Sequence, residues 1–252
     1  LGRLAGAKVA HIESGLRSFN LLHPFPEEVT RLMVFRLSHL FFAPGAWAVA
    51  NLRKYRGTVY DTKANTLVDS LRVAARNFSR CDVDVPNSQY AVASIHRFEN
   101  VFRRSRLEWI VDELIAVSQT VPLLFILHLP TKKKLEKFGL MEKLRASERI
   151  ELRPRYDYLN FIKLVSTSEF VISDGGSNQE ECSYLGKPCL LFRDKTERQE
   201  GIGKNVVLSH YEHSRVEDFL ARYRDLALAA DPVDGSPAAD IVDQLAPYYP
   251  HR

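Results

Sequence analysis

The chain has 252 residues, 45% of them hydrophobic and 26% charged, a composition that fits one large or two ordinary folded domains and excludes a disordered chain. Its net charge of +4 is small and its basic residues are spread along the sequence, so we expect no nucleic-acid partner. No apolar run approaches the roughly 20 residues of a membrane-spanning helix, so we expect no membrane association.

The cysteines are few and scattered, at Cys81, Cys182 and Cys189, with no CxxC pair and no histidine pattern beside them. They predict reduced thiols in a cytoplasmic protein, with neither a disulfide framework nor a metal site. Cys182 and Cys189 are expected to be small core residues. The chain begins at Leu1 without an initiator Met, in what reads as the end of a helix, which suggests a fragment.

The first part of the chain alternates apolar runs with helical periodicity. We predict strands at 7–12 and 39–43 and helices at 26–37, 46–55 and 65–76. Residues 77–89 have almost no periodicity, and we interpret them as an interdomain linker.

Beyond this linker, strands and helices alternate strictly. We predict strands at 90–94, 121–127, 150–152, 170–173 and 188–192, and helices at 107–117, 132–145, 158–165, 178–185, 216–230 and 238–245. This alternation indicates βαβ units, and therefore an α/β fold with a parallel sheet covered by helices on both faces.

Polar clusters follow the predicted strands, where a parallel sheet collects them along one edge. The first cluster, HIESGLRS (residues 11–18), contains Glu13 and Arg17. Taken alone, these two side chains are best explained by an ion pair that holds the loop.

The second cluster, PFPEEVTR (residues 24–31), brings Glu27 and Glu28 to the start of a helix, where capping accounts for one carboxylate but not for two.

The third cluster, SIHRFEN (residues 94–100), places His96 after a strand. A histidine there can exchange a proton near neutral pH and can bind a phosphate when charged.

The fourth cluster lies in FVISDGGSNQEE (residues 170–181), where a strand leads into Gly175 and Gly176 and then into a helix. Open backbone N–H groups and the positive end of the helix dipole suit a phosphate, although a turn that needs glycine only for its geometry fits equally well. Neighbouring strands would bring Arg198 close to this turn and add a cation. Glu181, one turn into the helix, would then accept hydrogen bonds from a ribose diol.

With these clusters in hand, the chain strongly resembles the non-hydrolysing UDP-N-acetylglucosamine 2-epimerases, which have the glycosyltransferase-B type of fold. The resemblance rests on seven segments in the family's order: HIESGLRS, PFPEEVTR, NTLVDSL, SIHRFEN, SDGGSNQEE, YLGKP and RDKTER. It implies two Rossmann-like domains facing across a cleft, of which the first is incomplete here.

The resemblance also implies a domain plan and a set of site residues. The plan is the C-terminal part of the first domain at 1–76, the linker at 77–89, a UDP-binding domain at 90–215, and C-terminal helices at 216–252 that pack back toward the first domain. The residues implied to bind substrate are Phe161 near the uracil, Gly175, Gly176 and Ser177 at the diphosphate, Glu181 at the ribose, and Arg198. Those implied to act in or beside the chemistry are Glu13, Glu27 and His96.

The reaction implied is inversion at C2 of the sugar by elimination and re-addition of UDP, through a glycal, with no redox cofactor. A carboxylate can remove the C2 proton, and a second group must return it on the opposite face. Glu13 and Glu27 could serve the two faces, in either assignment. Homodimers and a place in supplying surface polysaccharide precursors are implied as well.

The sequence departs from the family's pattern at several points. The usual Ser-Gly-Gly turn is replaced by Gly175-Gly176-Ser177, a glycine before the NT motif is Ala64, and a substrate-site glutamine near Phe161 is Tyr156. The family's first nucleotide-binding strands, with a lysine and an aspartate near the reacting sugar, should lie upstream of Leu1.

Three other interpretations stay open at this point. A hydrolysing epimerase would release free N-acetylmannosamine and UDP, and an inactive fragment would bind UDP without turnover. A glycosyltransferase of the same fold would leave the pairing of Glu13 with Glu27 unexplained.

Overall fold

The computed structural model describes residues 2–3, 5–21, 26–230 and 233–248. By its internal contacts the chain divides into two units, one made of 1–70 together with 233–252 and the other of 71–232. Among the described helices, none has both the length and the apolarity that crossing a membrane requires.

The first unit contains a three-stranded parallel sheet with strands in sequence order. Its elements are β1 (Ala10–Ile12), α1 (Glu27–Leu37), β2 (Leu40–Ala43), α2 (Ala46–Leu52) and β3 (Thr58–Asp61). The strands are in register from Ala10 through Leu40 to Thr58, so their carboxyl ends lie at one edge. Glu13 follows β1 at that edge.

The second unit begins within α3 (Leu67–Arg76) and has a six-stranded parallel sheet. Its strands are β4 (Ala91–Ser94), β5 (Leu123–Leu127), β6 (Ile150–Pro154), β7 (Val171–Ser173), β8 (Cys189–Leu191) and β9 (Val206–Leu208). Its further helices are α4 (Phe98–Val101), α5 (Arg104–Thr120), α6 (Leu129–Lys137), α7 (Met141–Arg145), α8 (Tyr158–Thr167), α9 (Gly176–Tyr184) and α10 (His213–Arg222).

The strand order β6-β5-β4-β7-β8-β9 fixes where this unit can hold a ligand. The chain runs outward from β4 to β6 and then returns to β7 on the other side of β4. Loops leaving β4 and β7 therefore separate at their carboxyl ends, which opens a crevice at this switch point. Apolar side chains are buried on both faces of the sheet, as expected for parallel strands between helices.

The last helix, α11 (Pro237–Leu245), belongs to the first unit. Ile241 packs with Leu40 and Phe42 of β2. The backbone N–H of Ala238 donates to the carboxylate of Asp69 at 2.8 Å. The segment 77–89 belongs to the second unit, where the N–H of Val83 donates to the side chain of Asn160 at 3.2 Å.

Several predicted elements differ from those observed. Strands β3 and β9 were not predicted, because their short runs, four and three residues, follow segments rich in glycine and charge. The single helix predicted at 132–145 is two helices that separate at Gly139, whose φ of 71° favours glycine. The helix predicted at 216–230 instead spans His213–Arg222 and continues only as a short 3₁₀ turn.

Candidate active site

The switch point of the second unit holds a cavity of about 400 Å³. Eight of the residues expected in the site line it: His96, Tyr156, Phe161, Gly175, Gly176, Ser177, Glu181 and Arg198. They come from loops after β4, β6, β7 and β8 and from the helices that follow, so the sheet edge collects residues that are far apart in sequence. The other two expected residues, Glu13 and Glu27, belong to the first unit.

Asp174 organises the loop that leaves β4. Its carboxylate is fully buried and accepts the backbone N–H groups of His96 and Arg97 at 3.0 Å each. It also accepts the side-chain amide of Asn100 at 2.9 Å. A buried carboxylate requires such donors, and here they fix the backbone from which His96 projects.

The ring of His96 is held on two sides. It stacks on the ring of His128, with 4.7 Å between centroids, and its Nδ1 lies 3.4 Å from Asp174. A Cβ placed on Gly175 would come within 2.8 Å of Cε1 of His96, so glycine is needed at that position. Burial lowers the pKa of His128 to about 4, assisted by the nearby charges of His96 and Arg155, so His128 is neutral at physiological pH.

The start of α9 forms an anion-binding corner with Arg198. The N-cap residue of this nine-residue helix is Gly175, which has no side chain to cap it. The N–H groups of the first turn lie at the positive end of the helix dipole. The guanidinium of Arg198 lies against Gly176, where an added Cβ would be 2.7 Å from Nε. Glu180 holds the same guanidinium from within the protein at 2.5 Å. Backbone donors and a fixed cation thus converge where a diphosphate would fit.

A second buried ion-pair group borders this corner. Glu197 lies 2.8 Å from Arg193 and 3.9 Å from Arg97. Burial acts to raise the pKa of Glu197, but the charges of Arg193 and Arg97 outweigh it and lower the pKa to about 2. Glu197 therefore stays ionised and keeps Arg97 beside the cavity.

The pKa of Glu181 is raised, in contrast to the lowered pKa of Glu197. Its side chain is almost entirely buried, and this burial raises its pKa to about 7 against the hydrogen bond from Asn178 and the charge of Arg198. The amide of Asn178 donates to it at 2.8 Å. Tyr156 and Phe161 pack beside the second core cluster and offer ring surface to the cavity. A carboxylate next to aromatic rings is suited to a nucleoside, whose diol donates and whose base stacks.

In the first unit, Glu13 has an unusual backbone. Its φ is 59°, in the left-handed region that non-glycine residues rarely adopt. The next residue is anchored, because the N–H of Ser14 donates to the carbonyl of Phe42 in β2 at 2.8 Å. The turn after β1 therefore directs Glu13 by backbone geometry.

The sequence predicts that Arg17 pairs with Glu13, and this prediction is wrong. Arg17 pairs instead with the fully buried Glu28, with 2.5 Å between Nε and Oε1, and Glu28 also accepts the N–H of Ser18 at 3.2 Å. Glu28 thus ties the loop after β1 to the start of α1. Glu27, its neighbour in sequence, is exposed. Pro24 and Phe25 of the same motif lie outside the described residues.

Several residues of the site are not predicted from the sequence. Asp174 stands in the glycine segment, but its role in positioning His96 is not predicted, and neither are four residues that line the cavity: His128, Arg155, Tyr158 and Asn178. A signal existed for His128, which directly follows the strand predicted at 121–127, much as His96 comes two residues after the strand predicted at 90–94. No sequence signal marks Tyr158, whose contact with Glu181 depends on how α8 and α9 pack.

Comparison with known proteins gives a consistent result. The family model for UDP-N-acetylglucosamine 2-epimerase matches residues 1–243. The UDP-N-acetylglucosamine 2-epimerase of Methanocaldococcus jannaschii is 34% identical over 218 residues, covering 79% of this chain and 58% of that protein. The UDP-2,3-diacetamido-2,3-dideoxy-D-glucuronate 2-epimerase of Pseudomonas aeruginosa is 33% identical over 221 residues, covering 82% of this chain and 59% of that protein.

Among solved structures, the UDP-GlcNAc 2-epimerase from Neisseria meningitidis bound to UDP-GlcNAc has a TM-score of 0.86 and 27% identity, with 98% of this chain and 71% of that chain covered. This likeness confirms the predicted α/β fold of the glycosyltransferase-B type. The chain spans less than two thirds of the length of the two curated relatives. By its match to the family model and its identity to these relatives, the chain belongs to the UDP-N-acetylglucosamine 2-epimerase family.

Proposed function

We propose that the cavity of the second unit binds the UDP part of a nucleotide sugar, and that the protein interconverts UDP-N-acetylglucosamine and UDP-N-acetylmannosamine. The observation that carries this proposal is the corner where Arg198 lies against Gly176 at the uncapped start of α9, inside the cavity that also contains Glu181 and His96. Few ligands other than a nucleoside diphosphate need all of these groups together.

Each part of UDP has a proposed partner. The N–H groups at Gly176 and Ser177 and the guanidinium of Arg198 hold the diphosphate. Glu181 accepts the ribose hydroxyls, and Phe161 with Tyr156 contacts the uracil. This assignment is supported by the likeness to the Neisseria meningitidis structure with UDP-GlcNAc bound and by the burial of Glu181.

The proposed chemistry is an elimination followed by a re-addition. The C1–O bond to UDP breaks while a base removes the proton at C2, which leaves a glycal and UDP. UDP then adds back to C1 on its original face, and an acid delivers a proton to the opposite face of C2. Glu13 and Glu27 are proposed as this base and acid in one order or the other, and His96 is proposed to offset charge on the departing diphosphate.

The experiment is to incubate the chain with UDP-N-acetylglucosamine in deuterated water and follow both sugars by NMR. Appearance of UDP-N-acetylmannosamine with deuterium at C2 is expected, and Glu13→Gln and His96→Ala should each lower the rate by about 100-fold or more. Turnover that survives both substitutions would disprove the site assignment. Release of free N-acetylmannosamine would show a hydrolysing reaction instead.

A second candidate is UDP binding without turnover. It is favoured by the lining of the UDP cavity, whose described residues all belong to the second unit, whereas Glu13 and Glu27 belong to the first. Calorimetric binding of UDP that is lost in Arg198→Gln, with no deuterium exchange at C2, would decide for this candidate.

We also propose a cytoplasmic homodimer that supplies precursors for a surface polysaccharide. The location is supported by Cys182 and Cys189, which are both buried free thiols. Light scattering that gives a monomer mass would refute the dimer. Recovery of the native protein from an oxidising compartment would refute the location, and unchanged surface polysaccharide after deletion would refute the pathway.

A further inference from the structure

A second cavity, of about 690 Å³, lies at the opposite edge of the first unit's sheet. Its lining includes His39 and Gly57, which directly precede β2 and β3, and Lys8, two residues before β1. Glu13 follows the carboxyl end of β1, about 16 Å along the strand from Lys8 at the usual rise per residue. This cavity is therefore separate from the edge that carries the proposed chemistry.

The lining is strongly basic. Among the described residues that line it, the permanently charged ones are Arg3, Lys8, Arg36, Lys54 and Arg56, and none is a carboxylate. These five charges exceed the net charge of +4 that the entire chain carries. Such a concentration of one sign in a concave site raises the local potential and attracts anions.

Two of the five basic residues, Arg36 and Arg3, have a structural role that explains their position. Arg36 lies in the last turn of α1, where a cation is favourable, and Arg3 donates to the carbonyl of Arg36 at 3.0 Å. Lys8, Lys54 and Arg56 have no such role. Across the described ranges, none of the five basic residues forms an ion pair with a carboxylate.

The neutral groups of the cavity are also suited to an anion. The Nδ1 atom of His39 accepts the N–H of Val9 at 3.0 Å, so the neutral ring carries its proton on Nε2 as a donor. The ammonium of Lys54 lies 5.5 Å from the ring centre of Tyr55, and that of Lys8 lies 6.0 Å from the ring centre of Tyr248. Cation–π contacts of this kind orient the ammonium groups and leave their charge uncompensated.

We propose that this cavity binds a polyphosphorylated anion at a site distinct from the UDP cavity. One phosphate would satisfy two or three of the cations, whereas the volume and the five charges match a ligand with several phosphate groups. The phosphates can be carried by a soluble molecule or by a lipid headgroup, and the chemistry of recognition is the same. This inference does not depend on the proposed epimerase activity.

The test is calorimetric titration of the full 252-residue chain with inorganic tripolyphosphate. The double variant Lys54→Gln/Arg56→Gln should weaken binding by about tenfold or more, because two charge-assisted contacts are lost. Arg198→Gln, which removes the cation of the UDP cavity and with it any tripolyphosphate bound there, should leave in place the binding that depends on Lys54 and Arg56. The matched control Lys133→Gln/Lys137→Gln removes the same charge from exposed positions of α6 and should also have no effect.

The proposal is overturned if tripolyphosphate does not bind, if Arg198→Gln abolishes binding, or if the α6 control weakens it as much as the cavity variant. A parallel arm uses phosphatidylcholine vesicles with and without phosphatidylinositol bisphosphate. Vesicle binding that requires Lys54 and Arg56 identifies a lipid-borne ligand, and tripolyphosphate binding without vesicle binding identifies a soluble one. Circular dichroism checks that each variant is folded.

Discussion

The carboxylate of Asp174 accepts the backbone N–H of His96 at 3.0 Å and also lies 3.4 Å from the ring nitrogen Nδ1 of the same residue. The residue that begins the glycine turn after β7 thus sets the position of the histidine after β4. Because β4 and β7 are neighbours in the sheet, one buried side chain connects the two loops that border the switch point.

We predict that Asp174→Asn lowers stability and UDP affinity together. The amide keeps one acceptor but presents an N–H group to donors that now lack a partner, at a cost of about 1–3 kcal/mol in unfolding free energy. Urea unfolding measures the stability and calorimetry the affinity. Asp218→Asn, the same change at an exposed position of α10, is the control and should alter neither. An Asp174→Asn protein with both values unchanged would contradict the positioning role.

Gly176→Ala should weaken UDP binding without destabilising the helix. The new Cβ would meet Nε of Arg198 at 2.7 Å and displace the guanidinium from the diphosphate corner, whereas alanine at the first residue of α9 favours the helix. We expect a loss of about tenfold in affinity, measured by calorimetry. Gly2→Ala, where the nearest atom is 3.9 Å away, is the matched control. Equal UDP affinities in the two variants would exclude a role for this contact.

The proximity of Arg198 to the glycine turn could be predicted from the sequence, because β7 and β8 are adjacent parallel strands whose following loops meet at one edge. The partner of Arg17 could not. Glu13 is nearer in sequence than Glu28, but its left-handed backbone and the fold of the loop decide the pairing. The role of Asp174 was equally hidden, since it acts on backbone N–H groups that carry no residue-specific signal.

UDP affinity should rise with pH through about 7 because of Glu181. Its folded-state pKa, about 7, is above the ordinary 4.5, so the buried carboxyl is protonated at pH 6 and accepts the ribose hydroxyls fully only when ionised. Between pH 4.5 and about 7, Glu181 holds a proton in the folded state that it has lost in the unfolded state. Its contribution to the free energy of unfolding therefore falls as the pH rises from about 4.5 to about 7.

Calorimetry of UDP at pH 6 and pH 8 tests this dependence. Glu181→Gln should remove the part of the pH effect that belongs to Glu181, and the remainder comes from UDP itself and from the other groups around its diphosphate. With 2′-deoxy-UDP as ligand, which lacks one ribose hydroxyl, the unchanged protein should show a smaller pH effect. An identical pH profile for the unchanged protein and Glu181→Gln would refute the assignment of Glu181.

Substitutions of the adjacent residues Glu27 and Glu28 should have different effects, one on the epimerisation rate and the other on stability. Glu28→Gln leaves the largely buried Arg17 without its anionic partner, and loss of one member of a buried pair costs about 3–5 kcal/mol of unfolding free energy. Glu27→Gln changes an exposed side chain, so its stability should stay within about 0.5 kcal/mol of the original. Its epimerisation rate should nevertheless fall by about 100-fold or more if it exchanges the C2 proton. Urea unfolding gives the stability of both variants, and deuterium exchange at C2 gives their epimerisation rates. A Glu27→Gln protein that is destabilised, or one that keeps the normal rate, would remove Glu27 from the proposed chemistry.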